Sequence, residues 1–351
     1  MVDKFIVTGD LHFRSENPRS RKDNYRDALL VKLYEVFLIA QERRAKAIII
    51  PGDIFDSSNV SLPTIIKLAS FLDDCKAKFA IDVLVISGNH DLPAGNKGAI
   101  SRTPFGLLTE LEYIHDLERL DASRLMLLPT DMFESSVTGC GFDYQTDTPD
   151  GADQYMVTQS SFPESYPRIH ALSSEDHPRI HVVHSMLLAA APSFPMRHTL
   201  IDDVETNADI IISGHYHDGF GIIRRKDGKL FINPGALCRL SASQAEMSRT
   251  VQVALLTVNS KTDFHAELIP LQSARPAEEV LDREAIVEKK EHENWLESFF
   301  DSLQQEGEEK FLEVREIIEK IATLENVPSG VKLEALLRIG EAREKLGRGA
   351  G

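Results

Sequence analysis

Asp, Asn and His gather in five short clusters within the first 217 residues, and each cluster follows a run of apolar, strand-forming residues. The first is Gly9-Asp10-Leu11-His12. In an extended segment, residues two apart point the same way, so a carboxylate and an imidazole converge on one ion. Taken alone, the same residues are equally at home in a polar turn that ends a strand. The second cluster is Pro51-Gly52-Asp53-Ile54-Phe55-Asp56. Its glycine allows a sharp turn and sends Asp53 into the crevice at a strand end, whereas Asp56 fits a helix cap better.

The third cluster is Ser87-Gly88-Asn89-His90-Asp91. An Asn carbonyl oxygen is a ligand for a hard divalent ion, and the adjacent His can donate a proton or stabilise a transition state. Gly-Asn is also ordinary turn chemistry. The fourth is the single residue His184, with His181 as its competitor. Residues three apart on a strand face opposite sides, so only one of them points inward; His184 is preferred because it closes the strand, as the other candidates do. The fifth is Ser213-Gly214-His215-Tyr216-His217, two histidines two apart, and neutral imidazole is the commonest protein metal ligand. The remaining histidines carry no assigned role.

Elements of two periods must position these residues. Strands are predicted at Phe5–Thr8, Ala47–Pro51, Val83–Ser87, Val137–Gly141, Ile180–His184 and Ile210–Ser213, with amphipathic helices at Tyr25–Arg43 and Leu62–Lys78 between the early ones. After residue 213 the pattern becomes consecutive strands, Gly221–Arg225, Leu230–Asn233, Val251–Val258 and Phe264–Pro270, with a hairpin turn at Asp227-Gly228. The expectation is an α/β protein with two mixed β-sheets packed on each other, helices outside, and a C-terminal helical segment. The boundaries expected are 1–235 for a catalytic core, 236–275 for a small β cap that completes it, and 276–351 for an acidic helical segment.

Composition narrows the function. Lys and Arg number 39 against 55 Asp and Glu, a net charge of −16, which disfavours a protein that grips nucleic acid unaided. If DNA is the substrate, a local basic strip, metal ions or a partner must supply the attraction. No apolar run approaches the ~18 residues that span a membrane. The three cysteines, Cys75, Cys140 and Cys238, form no CxxC pair, which fits a reducing cytoplasm rather than a disulfide framework.

Together the clusters form an oxygen-and-imidazole set suited to Mn²⁺, Fe or Zn²⁺. The order Asp-x-His, Gly-Asp-x-x-Asp, Gly-Asn-His-Asp, lone His, Gly-His-x-His resembles the calcineurin-like metallophosphoesterase superfamily, over residues 5 to about 235. Ile232-Asn233-Pro234-Gly235 is similar to the loop that follows Gly-His-x-His there. The resemblance implies two metal ions, Mn²⁺ first among the options. Asp10, His12 and His217 would hold one ion, Asn89, His184 and His215 the other, and Asp53 would bridge them. Two such cations, ~3.5–4 Å apart, lower the pKa of a water toward ~7 and clamp an in-line displacement. His90 would stabilise the reacting phosphorus or protonate the leaving alkoxide, with Asp56 and Asp91 orienting the ligands.

The run Gly52-Asp53-Ile54-Phe55-Asp56-Ser57-Ser58-Asn59-Val60-Ser61 is similar to the SbcD-type DNA repair exonuclease subunits. That likeness implies DNA as substrate and, as partner, an SMC-like ATPase of the SbcC type docked on the C-terminal helices. Residues 276–348 carry 19 acidic and 11 basic side chains and an aromatic cluster of Trp295, Leu296, Phe299, Phe300 and Leu303. A homodimer is a further expectation. The alternative is a phosphodiesterase or phosphatase for nucleotides or other small phosphoesters, which the acidic charge favours.

Overall fold

The computed structural model describes residues 2–119, 136–157, 178–193 and 195–282. A compact unit ends at Asp282, so the expected helices of the acidic segment, Trp295 and its neighbours included, lie outside the described residues.

The chain starts with strand β1 (Asp3–Val7), helix α1 (Tyr25–Arg43), strand β2 (Ala47–Ile50), helix α2 (Leu62–Phe79) and strand β3 (Asp82–Val85). Asn24 opens α1 by accepting the Asp27 N–H, and Arg44 closes it in the left-handed conformation. Pro63 sits in the first turn of α2, where its missing N–H costs no bond. Helix α3 (Pro104–Glu110) and the two-residue strand β4 (His115–Asp116) follow.

The next strands are β5 (Ser136–Cys140), β6 (Arg179–Ser185), the short pair β7 (Leu187–Leu188) and β8 (Thr199–Leu200), and β9 (Ile210–His215). After them come β10 (Gly221–Arg224), β11 (Leu230–Asn233), β12 (Gln252–Val258) and β13 (Phe264–Pro270). The longer strands fall within a residue or two of the predicted ones, whereas the two-residue strands β4, β7 and β8 have no predicted counterpart.

Two mixed sheets result. One has six strands in the order β13-β12-β1-β2-β3-β4, the other five in the order β10-β11-β9-β6-β5. β1 to β4 run parallel, as do β5, β6, β9 and β11, while β10 and β12 lie antiparallel to their neighbours. Residues 252–270 therefore join the first sheet beside β1.

Side-chain alternation builds the layers. Phe5, Val7, Ile49 and Leu84 of the first sheet meet Ile180, Val182, Ile210, Ile212 and Ile232 of the second in one buried cluster. The opposite face of the first sheet, with Ile6, Ile48, Ile50 and Val85, packs on Leu29, Leu33, Phe37, Leu68 and Phe105 of the helices. The opposite face of the second sheet, with Val183, Ile211 and Phe231, is closed by Tyr155, Leu187, Ile201 and Val204. Both sheets are thus covered on both faces, which is why their strands read as nearly unbroken apolar runs.

Candidate metal centre

All five clusters leave the sheets at the same edge. Asp10 and His12 follow β1, Asp53 follows β2, Asn89 and His90 follow β3, His184 is the penultimate residue of β6, and His215 ends β9 with His217 just beyond. This is the carboxyl edge of the parallel strands, where α/β sheets place ligands. The structure brings all seven predicted ligands, with His90, into one cluster there. Asp10, His12, Asp53 and His217 form one group whose ligand atoms lie within 4.8 Å of one another, and Asp53, His184 and His215 form a second. Asp53 belongs to both. A third grouping, His12, Asp56 and His90, meets the same criterion.

The separations between these atoms are those of ligands around shared ions. Two ligands at right angles on one ion, each at ~2.0–2.1 Å, are about 3 Å apart. His12 Nε2 and His217 Nε2 are 2.9 Å apart, and His184 Nε2 and Asn89 Oδ1 are 3.0 Å apart. Asp53 Oδ2 is buried and has no hydrogen-bond donor; its neighbours are His184 Nε2 at 3.4 Å and His12 Nε2 at 3.5 Å. His184 Nδ1 lies 2.8 Å from the Pro51 carbonyl, to which it donates its proton, so Nε2 is the ring atom that faces Asp53. Nε2 and the carboxylate oxygen need a positive charge between them, which a metal ion supplies when bound and a proton on His184 supplies without one. The same bond to a backbone carbonyl is how proteins orient metal-ligating histidines. The residues therefore fit two divalent cations.

The backbone is bent to achieve this. His12, Asp53 and His215 all have positive φ, at 50°, 48° and 72°, a region costly for residues with a Cβ. Gly52, at φ 107°, precedes Asp53, and a Cβ there would lie 2.3 Å from His184 Nδ1.

The family model for calcineurin-like phosphoesterases matches residues 3–219, a span containing all five clusters. The chain belongs to this family. Phosphoester hydrolysis is therefore the reaction class of this calcineurin-like phosphoesterase. No curated protein matches the chain. Among solved structures, a dimetal phosphatase from Danio rerio is 13% identical, with a TM-score of 0.41, covering 77% of this chain and 99% of that one. Another solved chain is 14% identical at the same TM-score of 0.41, covering 78% of this chain and 100% of that one.

Electrostatics of the phosphoesterase site sort its groups into acids and ligands. Burial raises Asp10 to about 6, although His184 and His12 oppose the rise. Burial alone would raise Asp53 too, but His184, His12 and His90 hold it below the usual carboxylate range. His184 is driven the other way: burial lowers it, yet Asp53 outweighs burial and raises it to about 9. Burial and neighbouring imidazoles push His215 and His217 down to about 3, so both are neutral with lone pairs available.

Three further residues shape the phosphoesterase site. Asp91 accepts the backbone N–H groups of Phe55, Gly88 and Ile54 at 3.0, 3.0 and 3.3 Å, tying the Asp53 turn to the Asn89 turn. Asp56 lies 3.1 Å from Arg14 and 3.4 Å from His12 Nδ1. Phe142, which the sequence did not single out, packs its ring 6.2 Å from that of His184 and 6.1 Å from that of His215. Its signal was positional only: it follows a strand, β5, that ends at the same edge. His181 lies on the other side of its strand, bonded to Thr138 and the Gln154 carbonyl at 2.7 and 2.8 Å.

Proposed function

We propose that this chain is a phosphodiesterase that uses two divalent cations, Mn²⁺ first among the options, to cut DNA as the nuclease subunit of an assembly with an SMC-like ATPase of the SbcC type. The observation that carries the two-metal reading is Asp53 Oδ2, buried and unsatisfied between His12 and His184. Asp10, His12 and His217 would hold one cation, Asn89, His184 and His215 the other, and Asp53 both. When bound, the cations supply an activated water and neutralise charge on the phosphoryl oxygens.

The chain's own residues do the rest. The Asp53 side chain is fixed by the His90 N–H on Oδ1 at 2.8 Å, leaving Oδ2 for the cations. His90 Nδ1 donates to the Asp56 carbonyl at 2.7 Å, so Nε2 is the ring atom left for substrate. A protonated His90 can give that Nε2–H to the leaving oxygen. The Pro51 carbonyl holds His184, and Asp91 holds the turn that carries Asp53.

Two exposed residues on the stretch that follows Phe142, or bonded to it, support a nucleic-acid substrate. Tyr144, two residues beyond Phe142, is 62% exposed, and exposed aromatic rings stack unpaired bases. Arg197, also exposed, donates to the Tyr144 carbonyl at 3.1 Å and can meet a phosphate. The net charge of −16 favours the second reading, a phosphodiesterase for nucleotides or other small phosphoesters.

The deciding experiment assays duplex and single-stranded DNA, cyclic and linear nucleotides, and an aryl phosphodiester, with Mn²⁺ and with or without the ATPase. DNA cleavage that the ATPase enhances is expected. Asp53→Asn should abolish turnover of every substrate and lower the metal content per chain. Efficient nucleotide turnover with intact DNA in every condition would leave the small-molecule reading standing. Full activity and two metals in Asp53→Asn would overturn the metal centre itself.

A further inference from the structure

A second charged site lies away from the metal centre, in a cavity of about 290 Å³ bounded by α1, the start of β12 and residues 273–280. Four cations line it, Arg21, Lys32, Arg239 and Arg275, with two carboxylates, Asp23 and Asp27, the second of them paired with Lys67. Two of the cations are already neutralised. Arg21 makes a two-pronged contact with Asp23, with both hydrogen bonds at 2.8 Å, and Arg275 meets Glu279 at 3.0 Å.

Lys32 and Arg239 are not. Lys32 is 5% exposed, and among the described residues its Nζ reaches only the Ala28 carbonyl, at 3.3 Å. Arg239 is 8% exposed and spends three N–H groups on the carbonyls of Glu246, Arg275 and Arg249, at 2.8, 3.2 and 2.8 Å. A guanidinium has five such donors, so two remain. Burial, and after it the Arg249 charge, pull Arg239 below the usual arginine range. Burying a cation with no carboxylate bonded to it is costly, and here two line one cavity, with Glu246, itself paired to Arg249, offsetting Arg239 only in part.

We propose that this cavity binds a small oxyanion, held by Lys32 and the free donors of Arg239. A tetrahedral or carboxylate oxyanion supplies both the missing negative charge and acceptors for several N–H groups. Val251 and Val280, almost fully buried, form the apolar part of the wall, which admits a short carbon skeleton on the anion. The site is independent of the metal centre and of the substrate reading above.

The test uses the full chain, stripped of metal and then freed of chelator. Inorganic phosphate and succinate are titrated separately, followed by thermal unfolding and by calorimetry. One or both should raise the unfolding temperature saturably in the wild type and in Asp53→Asn, which retains the cavity. The arm that saturates identifies phosphate or carboxylate as the favoured chemistry. Lys32→Met should weaken binding by about tenfold or more, the contribution of a charged hydrogen bond. Its unliganded unfolding temperature should equal or exceed that of the wild type, because the substitution removes a buried charge. Lys32→Gln provides a second, polar variant with the same expected loss of binding. Absence of saturable binding in the wild type, or wild-type affinity retained in both Lys32 variants, overturns the proposal.

Discussion

The His90 backbone N–H and the Asp53 carboxylate are joined at 2.8 Å, yet the two side chains have separate tasks. Asp53 is the only residue common to both ligand groups, whereas the His90 ring commits Nδ1 to the Asp56 carbonyl and keeps Nε2 for substrate. His90→Gln should therefore keep near-normal metal content and slow the chemical step by ~10²–10⁴-fold, the usual contribution of a positioned acid or base. The loss should shrink for diesters with good leaving groups, which need no proton. Metal analysis together with turnover of two diesters that differ in leaving group checks this. A variant that arrives depleted of metal would move His90 into the ligand set, as its grouping with His12 and Asp56 allows.

At the scale of the element, strand β6 does two jobs on its two faces. His184 faces the candidate metal centre, while His181 is sealed on the other side with both ring nitrogens bonded. Burial pushes His181 down to about 4. Below pH 6.5 the unfolded chain takes up this proton and the folded chain does not. Stability is therefore lost as pH falls from 6.5 to about 4, and the loss levels off below that. The magnitude is up to about 3 kcal/mol. Denaturant unfolding at several pH values should show this slope, and His181→Gln should flatten it.

The turn after β2 is the other strained element. Gly52→Ala would place a Cβ 2.3 Å from His184 Nδ1 at a φ of 107°. A stability loss of about 1–3 kcal/mol is expected, along with depletion of the cation held by His184. Thermal unfolding and metal content per chain measure both; two metals at an unchanged unfolding temperature would contradict this account.

At the scale of the whole molecule, residues 1–282 form a compact unit of their own, and among the described residues its three buried clusters draw their core side chains from residues up to 271. A chain ending at Asp282 should stay folded and hydrolyse an aryl diester at near-normal rates, while losing its ability to bind a coiled-coil ATPase. Circular dichroism, diester turnover and a pull-down with the ATPase check the three parts. Unfolding of the shortened chain would assign the acidic segment to the core instead of to a partner. No described helix is long and apolar enough to cross a membrane, and the three cysteines are free.

The sequence by itself marked the longer elements and the candidate ligand types, because both are local, but not α3, β4, β7 or β8. Apolar runs in Ile48-Ile49-Ile50 and Ile210-Ile211-Ile212 mark strands buried on both faces, and each cluster of Asp, Asn or His ends such a run. Strand alternation left only one of His181 and His184 pointing inward, and the position at the strand end chose His184. What it could not decide was which strands share a sheet. After residue 213 the strands look consecutive, yet β10 and β11 complete the second sheet while β12 and β13 return to the first, beside β1. That choice depends on hydrogen bonds between residues far apart in the chain, such as Ile6 opposite Leu255, and no local period encodes them. The contacts of Phe142, Arg14 and the Pro51 carbonyl escaped the sequence for the same reason. Each acts through a neighbour that only the packing of the two sheets brings near. The unsatisfied oxygen of Asp53 is likewise a property of the assembled edge, where strands from both sheets deliver their side chains to one point.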